Sequence, residues 1–499
     1  MTQQKVQLLL LMCLLVVGLT KLAAEENSVT VYSSTSGMQV QQNQYSNPAH
    51  LPGFAMVKES KTMDFKKGRF ELHYDDVTAF IDPTSVSFST PDNPGAAKLL
   101  DQNYRFDLLG TDSLLQRYLE QTITVTYQAG NDKKIITGRL LSTQGGLIIA
   151  QENGRLAALR SWQDIDFPQL PDGLLTKPTL VWLLDSNTGK SQTVAINYQT
   201  NGMTWWADYV AELDREEPCR LNLSAWVSLI NQSGKSFNNY HLNLVAGDVN
   251  RSPQAKQQTM MRRESAFSSA DSVQQESLFE YHKYRFPRRV DLPNNSSKQI
   301  RLINRTEDIQ CEKKLLFDAF ANQQFSYPRP ITDANFNSQQ QNPPIQAQLT
   351  FNNTQENQLG IPLPAGRIRV NQADTQGTLT FIGADRIDHT ANKQTVSLTL
   401  GNSFDVNGRR QQSDFKRNKN TLVEQFNISL SNGKMNAETV TVIEHLYRWR
   451  QWHILDSSHD FTKTDANTIT FQVTVPAEGE LNIGYTVEYQ WPEQLNRNN

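Results

Sequence analysis

The stretch "NYQTNGMTWWADYV", Asn197–Val210, decides how the chain is read. It has the look of an extended strand, and a strand sends neighbouring side chains to opposite faces. Trp205, Ala207 and Tyr209 therefore share one side, while Trp206, Asp208 and Val210 share the other. Two adjacent tryptophans cannot form one flat binding platform unless the strand is bulged. Trp205 and Tyr209 are expected to fill a core. Trp206 is expected to pack against a neighbouring domain or to stand partly exposed as a sugar or partner contact.

The same period-two alternation recurs along the chain. "SVTVYSS", "RFELHY", "TITVTYQ", "LNLSAWVSLIN", "TVSLTLG", "FNISLSN" and "TITFQVTV" all read as half-buried strands, separated by Asn, Gly, Asp and Pro. One short helix is predicted in "GTDSLLQRYLEQ", capped by Asp112, with Leu114, Leu115, Tyr118 and Leu119 as its apolar face. The expected class is all-β and multidomain. Residues 111–169 follow the helix with about five short strands, the pattern of a small SH3-like or Sm-like barrel or of a meander. In the second half, a strand, an Asn-containing turn and another strand recur in "AWVSLINQSGKSFNNYHLNLVAG", "AQLTFNNTQENQLGIPLP" and "FNISLSNGKMNAETVTVIEHL". That is how successive hairpins of immunoglobulin-like sandwiches read.

At 499 residues, the chain is too long for one core. The expected division is a signal segment over 1–24, an N-terminal β domain over 25–110 and the small barrel-like unit over 111–169. A β-sandwich over 170–320, a C-terminal sandwich over 345–491 and a tail over 492–499 follow. The Gln/Ser-rich stretch 252–277 and the Gln/Asn/Pro-rich stretch 321–344 bury too little apolar surface to offset chain entropy, so both are expected as linkers.

The first residues carry Lys5 and then a twelve-residue apolar run, Leu8–Leu19, followed by Ala23 and Ala24. Twelve residues are too few to cross a bilayer as a helix, so a cleaved signal peptide is expected and an uncleaved anchor is the alternative. Removing Lys5 and Lys21 takes the formal charge from −3 to about −5. No basic stripe dominates the rest, which excludes a counterion-release binder of nucleic acid. A periplasmic or secreted protein without a transmembrane segment is the expectation. Only Cys219 and Cys311 then remain, and two cysteines in an oxidising compartment suggest one disulfide. Two buried thiols or a metal pair are the alternatives.

The ordered segments "LPDGLLTKPTLVWLLDS", "NYQTNGMTWWADYVAELD", "LSAWVSLINQSGKSFNNYHLNLVAGDVNR", "FEYHKYRFPRRVDL", "LGIPLPAGRIRV" and "FIGADRIDHT" resemble the bacterial domain of unknown function 4139 family, which includes mucoidy-inhibitor-A-like proteins. The resemblance covers roughly residues 50 to 491. It implies an exported, mostly β protein with no established activity or cofactor. The long coiled coil of the better-known relatives has no counterpart here, since no heptad is sustained.

Little in the chain reads as chemistry. "GADRIDHT" sets Asp385, Asp388 and His389 close together, a candidate acid–base group or a capped turn. His445, His453 and His459 fall within 15 residues but match no metal-ligand spacing. Tyr447, Trp449 and Trp452 alternate with Arg448 and Arg450 as a candidate cation–π patch. No phosphate loop, H-E-x-x-H or G-x-S-x-G occurs, so no metal or cofactor is expected. The expected role is an envelope scaffold or binding protein for a protein or glycan. A hydrolase of envelope or extracellular polymers using Asp385 and Asp388, or a carbohydrate-binding module using Trp206, are the alternatives.

Overall fold

A computed structural model describes residues 27–33, 48, 51–106, 110–130, 132–169, 175, 177–215, 218–247, 249, 274–278, 280–320, 328–336 and 341–496. The expected signal segment, 1–24, and residues 252–273 lie outside them. The described chain is nearly all β and divides into two compact units. One takes the chain through Trp205 and then Leu229–Lys298; the other takes Trp206–Ser228 and everything from Gln299. The expected 170–320 domain is thus split between the two.

Seven strands form the largest sheet of the first unit. Their order is β16 (Gln274–Leu278), β17 (Tyr281–Leu292), β15 (Phe237–Ala246), β1 (Ser28–Tyr32), β2 (Phe54–Met63), β12 (Gln192–Thr200) and β4 (Ile81–Ser89). The last residues of the 252–277 stretch thus belong to a strand, β16, rather than to a linker. β1 runs parallel to β15, with Thr30 opposite Asn243, 213 residues away. A second sheet sets β11 (Thr179–Ser186) between β3 (Gly68–Asp75) and β5 (Ala97–Arg105). Trp182 of β11 joins the two sheets, its ring 5.4 Å from Tyr74 and 5.2 Å from Phe88. Alternate residues of the larger sheet, including Val29, Val31, Val57, Ile196, Tyr198, Leu242 and Leu244, are buried.

That core also contains charge. Lys235 Nζ lies 2.5 Å from Glu59 Oε1 and donates to the Asp76 carbonyl at 2.5 Å. Glu59 accepts further hydrogen bonds from the hydroxyls of Tyr74, at 3.1 Å, and Tyr240, at 2.8 Å. Burial, and then the Glu59 charge, hold both phenols well above their ordinary pKa, so they stay donors. A buried ion pair is tolerated only with its remaining lone pairs filled in this way.

Within the same unit, the helix α1 (Thr111–Arg117) precedes a sheet ordered β10 (Asp164–Asp166), β6 (Thr122–Ala129), β7 (Asp132–Ser142), β8 (Leu147–Ala150) and β9 (Leu156–Leu159). Leu115 and Tyr118 of the helical segment pack with Ile123, Val125, Leu140 and Ile149 in a core of their own. The five strands are as expected, but the sheet is open: β10 and β9 are its edges, and no described pairing closes it into a barrel. The helix cap also differs from expectation. Gly110 holds the cap position without a side-chain bond, and Asp112 lies in the first turn, where it meets the positive end of the helix dipole. Gly138 permits the close approach of β7 and β8, since a Cβ there would lie 2.3 Å from the Ala150 carbonyl oxygen.

The second unit is organised by a long sheet. Its order is β21 (Leu379–Ile387), β20 (Gly366–Ala373), β13 (Met203–Leu213), β14 (Arg220–Asn231), β18 (Ser296–Asp318), β19 (Pro344–Asn352), β22 (Thr395–Asn418), β23 (Thr421–Asn432), β28 (Gly479–Gln490) and β25 (Trp452–Ser457). β24 (Glu438–His445) pairs with β18 and β27 (Thr468–Val475), and β26 (Thr462–Lys463) pairs with β27. The early part of β22 pairs with β19 and its end with β23, so this one strand carries the chain between two layers. Phe317, Phe426, Ile428, Val442, Phe471 and Tyr485 meet between those layers. A sandwich therefore stands where 345–491 was expected to form one, but it borrows Leu315–Asp318 of β18, outside that boundary.

Two arginines are buried in this sandwich. Arg410 Nε reaches both Glu444 oxygens, at 3.0 and 2.9 Å, and its guanidinium lies 3.9 Å from the Phe426 ring centroid. The Tyr485 hydroxyl donates to Glu444 as well. Arg448 Nη2 lies 2.7 Å from Glu424. Arg448 also donates to the carbonyls of Ile331, Asp333 and Phe336, and its own carbonyl accepts from the Ile331 amide. Residues 331–336, expected within a linker, are thus strapped to the sandwich.

The expected disulfide joins Cys219 and Cys311, 92 residues apart, and the Cys311 amide donates to the Cys219 carbonyl at 3.2 Å. Peptide mapping without reductant is expected to recover the two cysteines cross-linked; free thiols at both would refute the bridge. Reduction is expected to lower stability by about 4 kcal/mol, from loop entropy, in urea titrations.

The recurring Asn turn has a common geometry. Asn231, at the end of β14, donates to the carbonyls of Lys235 and Leu292 at 2.8 and 2.9 Å and accepts from the Ser233 amide. Asn432, at the end of β23, donates to those of Asn436 and Pro476 at 2.9 and 3.0 Å and accepts from the Lys434 amide. Asn353, just beyond β19, donates to Ile361 and Ala391 at 2.7 and 3.0 Å and accepts from the Gly360 amide. All three are buried. Asn432→Ala leaves buried carbonyls unpaired and is expected to cost about 3 kcal/mol, and Asn432→Asp at least as much because a carboxylate donates nothing. Urea titration of the two variants against wild type measures both.

Candidate functional site

β13 is buried through Met203–Tyr209 on both its faces. Trp205 and Tyr209 occupy cores as expected: the Trp205 ring meets Tyr284 edge-on at 6.3 Å, and the Tyr209 hydroxyl donates to the Pro364 carbonyl at 2.7 Å. Trp206 does not serve as a surface contact, since only 4% of it is exposed. Alternation along this strand separates two interiors rather than an inside and an outside. The Trp206 Nε1 donates at 2.8 Å to Asp208 Oδ2, which also accepts from Ser228 Oγ at 2.7 Å.

Asp208 is the hub of a sheet face in the second unit. β20 runs parallel to β13 with Arg367 opposite Asp208 and Arg369 opposite Val210. Their guanidinium Nη2 atoms lie 3.7 and 3.9 Å from Asp208 Oδ1, with side chains 34% and 39% exposed. Asp208 Oδ1 and Arg367 Nε are buried and make no hydrogen bond among the described residues. On β21, Arg386 stands directly opposite Arg367. On the other side, Gln299 donates to Ser228 Oγ at 3.3 Å, and the exposed Arg301 lies 4.5 Å from the centroid of half-buried Trp226. Arg305 bridges to Glu212 at 2.8 Å and to Glu307 at 3.1 Å, so it is neutralised locally. Arg301, Arg367, Arg369 and Arg386 therefore share a face with Asp208, which Trp206 and Ser228 hold in place, and with the Arg305–Glu212 ion pair further along β13.

Like charges directly opposite across strands are destabilising. Arg367 and Arg386 stand in that relation, and Asp208 lies 3.7 and 3.9 Å from the Arg367 and Arg369 guanidinium nitrogens without accepting a hydrogen bond from either. Arg301, Arg367 and Arg369 keep donors for a further anion, and guanidinium forks bind carboxylate or phosphate two bonds at a time. The pattern was legible in "GRIRV", where period two places Arg367 and Arg369 on one face. Trp226 was likewise in step with Ser224 and Ser228. The pairing of these strands was not legible.

Of the residues singled out from "GADRIDHT", Asp385 and His389 accept from backbone amides. Asp385 accepts from the amides of Arg386, at 2.8 Å, and Thr399, at 2.6 Å. The Asp388 carbonyl accepts from Thr390 Oγ1, and His389 Nδ1 accepts from the Ala365 amide at 3.1 Å. The other histidines take separate partners: His453 pairs with Glu488, His459 with Ser458 and His445 with Asp318. No group of three or more metal-ligating side chains occurs among the described residues. Cation–π contacts do form near Tyr447, with Arg450 4.7 Å from the Trp449 centroid and Arg448 5.0 Å from that of Phe415, but Arg448 is buried and structural.

No family model matches the chain, and no curated protein does.

His445 supplies a pH-dependent contact. Its Nε2 lies 3.3 Å from Asp318 and its Nδ1 3.1 Å from Thr468 Oγ1, while the ring stacks on Tyr447 at 5.0 Å. The hydrogen bond to Asp318 raises its pKa above 6.5, outweighing burial, and Glu444 and Asp465 add to the rise. A raised folded pKa contributes stability that is complete below the unfolded value and is lost as pH climbs through the folded one. His445→Asn is therefore expected to lower the melting temperature more at pH 6 than at pH 9; an equal drop at both would refute the charged pairing.

Proposed function

We propose that this chain is an exported, non-enzymatic binding protein of the bacterial cell envelope, working through the arginine-lined sheet face around Asp208. The observation that carries the reading is the combination of Arg301, Arg367 and Arg369 on that face with Asp208, which accepts no guanidinium hydrogen bond. The apolar run Leu8–Leu19 supports export, and the Cys219–Cys311 disulfide and the lack of any helix long and apolar enough to cross a membrane, among the described residues, are compatible with it. Kinship with the domain of unknown function 4139 family, an SH3-like origin for the small open sheet and an immunoglobulin-like one for the C-terminal sandwich belong to the same proposal.

The hydrolase reading is weakened at Asp385, whose carboxylate accepts from two backbone amides. A carbohydrate-binding role through Trp206 has lost its aromatic to the interior.

The test is co-sedimentation of the full-length protein with washed envelope material. Wild type is expected to be retained and to be released as salt rises from about 0.1 M to 1 M, where screening tightens from about 10 Å to 3 Å. Arg301→Glu/Arg369→Glu is expected to abolish retention without changing the melting temperature by more than a few degrees. Equal retention of wild type and variant would move the binding surface elsewhere, and release of reducing ends would reinstate the enzyme.

A further inference from the structure

We infer that the C-terminal sandwich binds one structural water molecule between Arg410, Arg448 and Glu424, and that this water joins two buried ion pairs into a single network. The inference is independent of the surface around Asp208 and of what binds there.

The site is built from donors that the ion pairs do not use. Arg410 directs Nε at both Glu444 oxygens. Arg448 directs Nη1 at the carbonyls of Ile331 and Asp333, and Nη2 at the Phe336 carbonyl and Glu424. Arg410 Nη1 and Arg448 Nε remain, both buried and neither with a hydrogen-bond partner among the described residues. Each of the two side chains is 3% exposed, so bulk solvent does not serve these atoms. Arg448 and Gln412 both reach Glu424 through Oε1, which leaves Oε2 as an acceptor. A buried guanidinium N–H without an acceptor is destabilising, and folded interiors pair nearly all such groups with protein or with ordered water.

Arg410, Arg448 and Glu424 line the same cavity, walled by Phe320, Phe426 and Tyr489. It offers about 10 Å³ to the centre of a water, the room that one molecule needs. Charge decides what fills it. Glu444 already neutralises Arg410 and Glu424 neutralises Arg448, while His445, also on the cavity wall, faces Asp318 at 3.3 Å. A cation would meet two guanidinium groups, and an anion would add a buried charge without a counter-ion. Burial holds the Glu424 carboxyl above its usual range despite Arg448, so the site tolerates further negative charge poorly. A water adds no charge; it accepts from the arginines and donates to Glu424. It thereby couples the Arg410–Glu444 pair to the arginine that fixes residues 331–336.

Two measurements on the full-length protein test this. A crystal structure that shows ordered waters is expected to place one peak within hydrogen-bond distance of both Arg410 Nη1 and Arg448 Nε. After a bromide soak, that peak is expected to give no anomalous signal. In solution, nuclear magnetic resonance of isotopically labelled arginine reads the Arg448 Nε–H, assigned by its loss in Arg448→Lys. That proton is expected to show an Overhauser contact to a long-lived water. A dry cavity in the crystal, together with no water contact at that proton, overturns the inference. Bromide at the peak overturns it as well, because the site then takes an anion.

Discussion

The structure depends on keeping hairpin ends closed where backbone polar groups enter the interior. A strand that ends inside a sandwich leaves carbonyls that must find donors, because water cannot reach them. Asn231, Asn353 and Asn432 meet that demand with one side chain each. Each amide nitrogen spans its own turn and the turn of a second hairpin, while its oxygen caps an amide of the loop. No other uncharged side chain of that length carries both a donor and an acceptor in the required places. The first of these asparagines belongs to one unit and the other two to the second, so each unit is locked by the same device.

The buried ions obey the same accounting. Glu59, Glu444 and Glu424 are each met by a cation and by a neutral donor: Tyr74 and Tyr240 for the first, Tyr485 for the second, Gln412 for the third. Even so, burial holds Glu424 above the usual carboxylate range despite Arg448. Pairs of this kind are costly to break and add little over a well-packed apolar core, so their value lies in specifying one arrangement. Arg448 illustrates this, since its remaining donors fix the path of residues 331–336. The Asp208 face contrasts with all three. There the carboxylate is oriented by Trp206 and Ser228, and the arginines are left without hydrogen bonds to it.

Much of the fold was legible because alternation is a local property. The strands around Trp182, Trp205 and Phe426, the helix before the five-stranded sheet and the recurring Asn turn all come from residues near one another in sequence. What failed was non-local. β1 finds β15 across 213 residues, and β18 lends its end to a sandwich assigned to later strands. No composition shift marks either event. The stretch 321–344 is polar enough to read as a linker, yet a single arginine more than 100 residues away holds part of it. The small sheet shows a related limit: five short strands predict a sheet, but choosing between a barrel and a meander depends on whether β9 and β10 meet, which no periodicity encodes.

The reading of Trp206 failed more instructively. Period two correctly put it opposite Trp205, and the error was to equate the opposite face with solvent. A strand buried on both faces reads as a continuous apolar run. Asp208 disguised that run by placing a carboxylate in its middle. The carboxylate is there because Trp206 and Ser228 offer it donors, and because Arg367 and Arg369 on the next strand offer it charge. The second tryptophan is therefore a structural part of the candidate site after all, one layer beneath the surface. It fixes the acid over which the arginines gather, and so links the packing of the core to the chemistry displayed outside.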